Sequence, residues 1–200
     1  CIHNIAPMNY LAHIFLSGSN PNVMIGNFIA DSIKGSKYRF YTPEIQKGIL
    51  LHRHIDTATD AHPSFRTSTK RLHKNYGHYS GIIVDIFYDH FLAKNWAEYS
   101  DIPLADYVES FYKMLGDNFE ILPENIQKMA PIMMEGNWLL IYADLEGIDR
   151  VLAGMNRRTK NRSGMDKAGQ ELKEFYALFE ADFRLVMNDL QLLSNDFLAP

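Results

Sequence analysis

Large apolar residues recur at spacings of three and four between Met165 and Leu193, and this pattern constrains the fold more than any other feature of the sequence. Such spacing places side chains on one face of an α-helix and does not match the two-residue alternation of a strand. The segment therefore predicts a long amphipathic helix whose core face is formed by Leu172, Phe175, Phe179, Phe183, Val186, Leu190 and Leu193.

Proline, glycine and N-cap residues mark the ends of further helices. In Asn20-Pro21 and Thr42-Pro43, a residue that can cap a helix precedes a proline at the first helical position. No segment alternates convincingly as a strand would, and no glycine-rich phosphate loop is present. We therefore predict an all-α, single-domain bundle of eight or nine helices, including 21–35, 43–60, 63–75, 80–96, 103–116, 123–145 with a kink at Pro131, 148–158 and 165–193.

Composition excludes several classes of protein. Apolar residues make up 46% of the chain and charged residues 22%, which is typical of a globular domain. The single cysteine, Cys1, excludes a disulfide framework, and the formal charge of −4 argues against nucleic acid as a partner. We find no apolar run long enough for a membrane span and no secretory signal, and expect a cytoplasmic protein with no membrane partner. Residues 1–7 are interpreted as a non-native or disordered extension before a natural start at Met8, with the domain covering 8–200; the oligomeric state is left open.

Aspartate and histidine residues recur within the apolar helical segments. His52, Asp56 and Asp60 are four residues apart on one predicted helix, and Asp85 and Asp89 show the same spacing on another. Carboxylates among apolar neighbours are costly unless they are paired or bind a cation, and helical bundles build metal sites from facing helices. Each residue also has a structural alternative, such as a hydrogen-bonded core histidine. The recurrence predicts one shared metal site with His13 as an additional candidate ligand and these principal ones: Asp31, His52, Asp56 and Asp89.

A ligand set rich in oxygen, with some imidazole and no thiolate, favours Mn²⁺, Mg²⁺ or Fe²⁺ over Zn²⁺. The chemistry that fits is hydrolysis at phosphorus, because a divalent cation activates water and neutralises charge on the phosphate. Arg53 could hold a phosphate oxygen, or it could form a salt bridge with Asp56 or Asp60. No nucleophile elbow, Cys–His signature or HExxH motif is present, so covalent catalysis has no support.

Five strings of residues, spread over most of the chain from Met8, carry a resemblance to a known family. They are MNYLAH at 8–13, GNFIADSIKG at 26–35, GILLHRHIDTATDAHP at 48–63, DIFYDHFLAKNW at 85–96 and NWLLIYADLEGIDRVLAGMNRR at 137–158. Together they resemble the acyl carrier protein phosphodiesterase family.

The resemblance implies a helical fold related to the HD-domain phosphohydrolases and a metal-dependent activity, typically with Mn²⁺. The implied reaction hydrolyses the phosphodiester between phosphopantetheine and a serine of holo acyl carrier protein, giving apo carrier and phosphopantetheine. The usual His-Asp doublet of HD proteins is absent, and the only such pair in that region is the reversed Asp89-His90. The resemblance carries over Asp31, His52, Asp56 and Asp89 as metal ligands, and as catalytic residues Arg53, Asp60, Asp85 and His90.

An acidic carrier protein would need a basic docking surface. We predict it in a stretch of four cations within six residues, although an ordinary solvated loop is the alternative: Arg157, Arg158, Lys160 and Arg162. Two other functions stay open at this point. One is an HD-like hydrolase of a small phosphate ester or nucleotide, which would need no docking surface. The other is a helical binding module without metal or catalysis.

Overall fold

The structure, a computed structural model, describes residues 10–199, and within that range it contains eleven α-helices and no β-strand. The predicted all-α fold is confirmed. Short 3₁₀ turns connect several helices, among them Ala30–Ser32 after α2 and Met165–Lys167 before α10. The helices are α1 Tyr10–Phe15, α2 Pro21–Ile29, α3 Pro43–Ala61, α4 Pro63–Tyr76, α5 Ser80–Lys94, α6 Leu104–Asp117, α7 Glu124–Glu135, α8 Trp138–Ile141, α9 Leu145–Arg158, α10 Gly169–Glu174 and α11 Tyr176–Leu198.

The helix starts follow the sequence signals. The Asn20 side chain accepts hydrogen bonds from the Asn22 and Val23 amides, which caps α2 at Pro21. Helix α3 begins at Pro43, and Gly77, with a φ of 53°, ends α4 in a conformation that residues with a side chain rarely adopt. The proposed extension at residues 1–7 lies outside the described residues.

The predicted helix 21–35 ends earlier, at Ile29, and is followed by a 3₁₀ turn and by extended backbone at Ile33 and Lys34. Two other predicted helices are interrupted, which raises the number of helices above nine. The segment 123–145 continues through Pro131 but breaks after Glu135, where Asn137 adopts a φ of 46°. The segment 165–193 is divided into a 3₁₀ turn, α10 and α11, with the break at Phe175. Its apolar face still packs against the core, where five of the seven predicted side chains are buried and two, Phe175 and Leu193, are partly buried.

Helix α5 lies at the centre of the core. Most of its side chains are buried, and it packs against α1, α4, α9 and α11. A helix that is apolar on every side is typical of such a position. Consequently Asp89 and His90, which are adjacent on α5, are both buried although they face different neighbours.

Helices α2 and α3 make backbone contact. A Cβ atom at Gly26 would lie 2.2 Å from the Ile45 carbonyl oxygen, and one at Gly48 would lie 2.1 Å from the Val23 carbonyl oxygen. Only glycine fits at these two positions. This close approach brings the polar residues at the end of α2 beside those in the second half of α3. No helix among residues 10–199 has the length and apolar character needed to cross a membrane.

Candidate metal centre

Three helices and one turn bring five polar side chains to a single place. His13 comes from the last turn of α1, Asn27 from α2, and Asp31 from the 3₁₀ turn that follows α2. His52 and Asp56 come from α3, one helical turn apart. Asn27 and Asp31 are also four residues apart, so each pair presents its two side chains in the same direction.

Asn27 connects the two histidines. Its Oδ1 atom lies 2.8 Å from Nδ1 of His13 and 3.0 Å from Nδ1 of His52, and the side chain is fully buried. Its Nδ2 atom donates to the His13 carbonyl oxygen and to Ser17 Oγ, both at 2.9 Å. The two imidazole rings stack with centroids 4.0 Å apart.

These contacts determine which nitrogen of each imidazole carries hydrogen. A backbone carbonyl can only accept, so the atom of Asn27 that faces the His13 carbonyl must be the amide nitrogen. Oδ1 therefore faces both rings and can only accept from them. Each Nδ1 is thus a donor, and a neutral ring at either position has its lone pair on Nε2. This is the tautomer that a metal ligand needs when its other nitrogen is held by hydrogen bonding.

Both Nε2 atoms face carboxylates. Nε2 of His52 lies 3.2 Å from Asp31 Oδ1 and 3.2 Å from Asp56 Oδ2, and Nε2 of His13 lies 3.2 Å from Asp56 Oδ1. His13 and His52 are almost fully buried, whereas Asp31 and Asp56 are partly exposed. The two carboxylates therefore form the open side of the cluster, and the two imidazoles form its floor.

In the absence of a cation, protonation of His52 is favoured by the negative charges of Asp31 and Asp56. Burial alone would lower the pKa of His52, but hydrogen bonds to Asp31 and Asp56 outweigh it and raise that pKa to about 9. A proton on Nε2 of His52 thus occupies the space between the carboxylates. Burial and the adjacent charged His52 lower the pKa of His13. Burial would raise the pKa of Asp56, but the two imidazoles hold it well below its usual range.

The cluster fits a metal ion. Three ligand atoms lie within 4.8 Å of one another and could hold a metal, one each from His13, His52 and Asp56. Nε2 of His13 is buried and has no donor partner among residues 10–199; its neighbour at 3.2 Å, Asp56 Oδ1, is itself an acceptor. Buried polar atoms are nearly always satisfied, and a lone pair without a donor is what a metal ligand presents. Asp31, on the other side of His52 Nε2, adds a fourth donor.

Two further acidic residues lie near the cluster. Asp85 lines a cavity of about 20 Å³ together with His13 and Thr59, which is large enough for one water molecule. Burial raises the pKa of Asp85 well above its usual range, and the charges of Asp56 and Asp60 add to this effect. Asp60 lies one turn beyond Asp56 on α3 and is exposed; its pKa is raised mainly by partial burial.

Asp89, unlike the other three predicted metal ligands, contacts backbone amides of α1 and not the imidazoles of the cluster. Its two carboxylate oxygens accept hydrogen bonds from the Leu11 and Ala12 amides, at 3.1 and 2.9 Å. These are unpaired donors at the start of α1, which need acceptors of this kind. Burial raises the pKa of Asp89 to about 8, against the effect of the two amides. The carboxylate thus fixes α1, and α1 in turn carries His13.

His90 and Arg53 also contact structural partners. His90 Nδ1 lies 2.7 Å from the Tyr142 carbonyl oxygen and Nε2 lies 2.8 Å from the Tyr176 hydroxyl, so this ring connects α5 to α11. Arg53 Nη2 donates to the carbonyl oxygens of Ile33 and Gly35, both at 3.0 Å, and ties the segment after Asp31 to α3. Their predicted catalytic roles are not tested by these contacts. The four docking candidates are exposed at the end of α9 and in the turn beyond it: Arg157, Arg158, Lys160 and Arg162.

Sequence reasoning missed Asn27 and Ser17. Ser17 donates to the His13 carbonyl oxygen and accepts from Asn27, so it supports the orientation of the amide. The sequence does contain a signal for Asn27, because it is a polar residue within an apolar helix and lies four residues before Asp31.

A family model described as acyl carrier protein phosphodiesterase matches residues 8–190. This chain belongs to the acyl carrier protein phosphodiesterase family. The resemblance drawn from the five strings is therefore confirmed. The matched range covers the positions of all five residues of the cluster. No solved structure matches the chain significantly, so a relation to HD-domain folds stays a prediction.

Individual relatives agree with the family assignment. An acyl carrier protein phosphodiesterase of Photorhabdus laumondii is 32% identical over 177 residues, which covers 88% of this chain and 89% of the relative. The Yersinia pestis protein of that name is 33% identical over 155 residues, with 76% and 80% covered. The Yersinia enterocolitica protein of that name is 29% identical over 189 residues, with 92% and 98% covered.

Proposed function

We propose that this protein is a metal-dependent phosphodiesterase that hydrolyses the bond between phosphopantetheine and a serine of holo acyl carrier protein. The products are apo carrier protein and phosphopantetheine. Family membership supports the reaction and the substrate. The observation that carries the metal dependence is the convergence of two imidazole Nε2 atoms with the Asp31 and Asp56 carboxylates.

We assign the metal ligands to His13, His52, Asp56 and Asp31. Two carboxylates, two imidazoles and no thiolate favour Mn²⁺, with Mg²⁺ or Fe²⁺ as the alternatives. We assign Asp89 as a positioning residue and not as a metal ligand, because both of its carboxylate oxygens accept hydrogen bonds from amides at the start of α1.

A divalent cation in this cluster would supply activation of the attacking water and neutralisation of phosphate charge. The residues of the chain would do the rest. Asn27 holds both imidazoles with Nε2 facing the carboxylates, and the partly exposed Asp31 and Asp56 mark the side from which a phosphodiester can approach. Arg53 follows His52 on α3, and its Nη2 atom is held by the segment after Asp31, so Nη1 or Nε would be the donor to a phosphate oxygen.

The leaving serine oxygen needs a proton. Burial, together with the charges of surrounding carboxylates, raises the pKa of Asp85 and so favours its protonated form. It lines the small cavity beside His13, so one water molecule can connect its carboxyl group to the centre. We therefore assign Asp85 as the general acid. Asp60 and His90 keep their predicted catalytic roles as proposals that the contacts do not distinguish from structural roles.

The test is incubation of the purified protein with holo acyl carrier protein and Mn²⁺, followed by intact mass analysis of the carrier. Loss of the phosphopantetheine mass, abolished by a chelator and restored by Mn²⁺, is the expected result. His52→Gln should be inactive, whereas Asp117→Asn, which changes an exposed aspartate paired with Lys113, should retain full activity. An unchanged carrier mass with metal-loaded protein would contradict the proposal. Cleavage of a small phosphodiester in that case would favour the small-substrate alternative.

A further inference from the structure

A crevice of about 420 Å³ lies between α9 and the segment 136–141. Its inner surface is largely apolar, with buried Val151 and Met155 on α9 opposite half-buried Trp138 and Ile141. Exposed guanidinium groups stand around its edge, contributed by Arg150, Arg157 and Arg158, and none of the described residues that line it is acidic.

The basic character extends along the chain. Between residues 150 and 162 there are five Arg or Lys residues and no Asp or Glu, in a protein with a formal charge of −4. Exposed positive charge concentrated in an otherwise acidic protein attracts an acidic partner and steers its approach.

The crevice and the candidate metal centre are connected through α5. Helix α9, which forms one wall of the crevice, packs against α5. Asp89 on α5 accepts hydrogen bonds from the Leu11 and Ala12 amides of α1, the helix that carries His13. The wall of the crevice and the helix of His13 therefore pack against the same central helix.

An apolar recess with a charged edge has the anatomy of a protein-binding hot spot. Such sites combine a desolvated apolar centre with a polar rim, and Trp and Arg are enriched in them. A partner that fits must offer carboxylates around an apolar side chain. This is the chemistry of an amphipathic acidic surface.

We propose that this crevice receives an apolar side chain from the acidic surface of the carrier protein, while carboxylates beside it pair with Arg150 and Arg157. The inference rests on the proposed function for the identity of the partner. It adds Arg150, Trp138 and Ile141 to the docking surface and assigns the crevice itself as the specificity-determining feature.

Gly154 makes the recess testable without removing a charge. It lines the crevice, and a Cβ atom there would meet only Arg157 Nη2, at an ordinary 3.7 Å. A leucine at this position would therefore extend into the crevice rather than into the core. Since glycine in a helix interior is less favourable than residues with a side chain, Gly154→Leu should also leave α9 at least as stable. Gly116→Leu on α6 is the matched control, because Gly116 is exposed and has no atom within 4 Å of its Cβ position.

The experiment measures binding of apo carrier protein, which lacks the phosphodiester, by isothermal titration calorimetry. Gly154→Leu should weaken binding about tenfold, as expected for blocking a hot-spot recess, while keeping the wild-type salt dependence. Arg150→Gln with Arg157→Gln should weaken binding by a similar factor and flatten the salt dependence. Gly116→Leu and the α4 pair Lys70→Gln with Lys74→Gln should bind as the wild type does.

The outcomes separate this proposal from the proposed function. Unchanged affinity in Gly154→Leu would overturn the crevice as a docking site, even if the enzyme hydrolyses holo carrier normally. Equal losses in the arginine pair and in the α4 lysine pair would also overturn it, because they would show only general charge attraction. Turnover of holo carrier by Gly154→Leu should show a raised KM with kcat unchanged. Wild-type protein that binds the carrier at the crevice but never cleaves it would refute the proposed function and leave the docking site in place.

Discussion

Replacing Asn27 should damage the candidate metal centre without removing any ligand. Asn27→Leu keeps the branched shape of the side chain but leaves the Nδ1–H groups of His13 and His52 without an acceptor. The Asn27 side chain is fully buried, and each of the two unsatisfied donors costs about 1–3 kcal/mol, so the free energy of unfolding of the metal-free protein should fall by about 2–6 kcal/mol. Loss of an outer partner of metal-binding histidines lowers metal affinity by about 10–100-fold.

The assay has two parts. Competition with a chelating dye gives the Kd for Mn²⁺, and urea unfolding of the metal-free protein gives its stability. Ser17→Ala is the matched control, because it removes a hydroxyl that contacts Asn27 Nδ2 but neither imidazole nitrogen. It should cost about 1 kcal/mol of stability and leave the Kd unchanged.

Asn27→Asp provides a second variant if Asn27→Leu does not fold. It retains an acceptor for both Nδ1–H groups, so it should bind Mn²⁺ far better than a leucine variant of comparable stability. An Asn27→Leu variant that folds and binds Mn²⁺ as tightly as the wild type would show that Asn27 has only a structural role.

Three further predictions concern pH, ligands and docking. The pKa of His52 is raised from 6.5 to about 9, so its contribution to stability is complete below about pH 6.5 and is lost as the pH rises through 9. Thermal unfolding of the metal-free protein should show a fall in stability of at most about 3 kcal/mol over this range, and His52→Gln should lack it. Mn²⁺ affinity should rise over the same range, because the metal displaces the proton of His52. Asp31→Asn should lose Mn²⁺ affinity and stay folded. Asp89→Ala should instead lose about 2–4 kcal/mol of stability, because it leaves two α1 amides unpaired. Equal losses of Mn²⁺ affinity in titrations of both variants would show that Asp89 is a metal ligand after all. Replacing the four docking candidates Arg157, Arg158, Lys160 and Arg162 with Gln should lower kcat/KM for the carrier and flatten its salt dependence. Turnover of a small phosphodiester should be unchanged. Identical salt profiles of variant and wild type would show that these residues form an ordinary solvated loop.

Most helix boundaries could be predicted because they depend on neighbouring residues. The capping side chain of Asn20 and the positive φ of Gly77 act within a few residues of the helix ends they define. The breaks at Asn137 and Phe175 could not be predicted, since both interrupt segments whose apolar periodicity continues on either side. Tertiary packing of two shorter helices against the core outweighs the local preference for one long helix there.

The site was predicted to a similar extent. His52 and Asp56 face the same place, as their i, i+4 spacing indicated, and Asp31 and His13, which were chosen because Asp and His recur within apolar helices, lie beside them. The positions of Asp89 and His90 illustrate the limit of this reasoning. Adjacent residues on a helix point about 100° apart, and which partner each meets depends on α1, α8 and α11, none of which is encoded near them in the chain.

The glycine contacts between α2 and α3 bear on ionic radius. Because the two backbones touch at Gly26 and Gly48, main-chain atoms fix the lower limit of the gap between Asp31, which follows α2, and His52 on α3. The helices can move apart to admit a larger ion, but they cannot close further around a smaller one. Mg²⁺ requires short bonds of about 2.0–2.1 Å and tolerates little distortion. If the proposed cluster holds a cation, two residues that carry no side chain and touch no ligand atom would limit how closely its ligands can approach, and would thereby bear on the choice between Mg²⁺ and a larger ion.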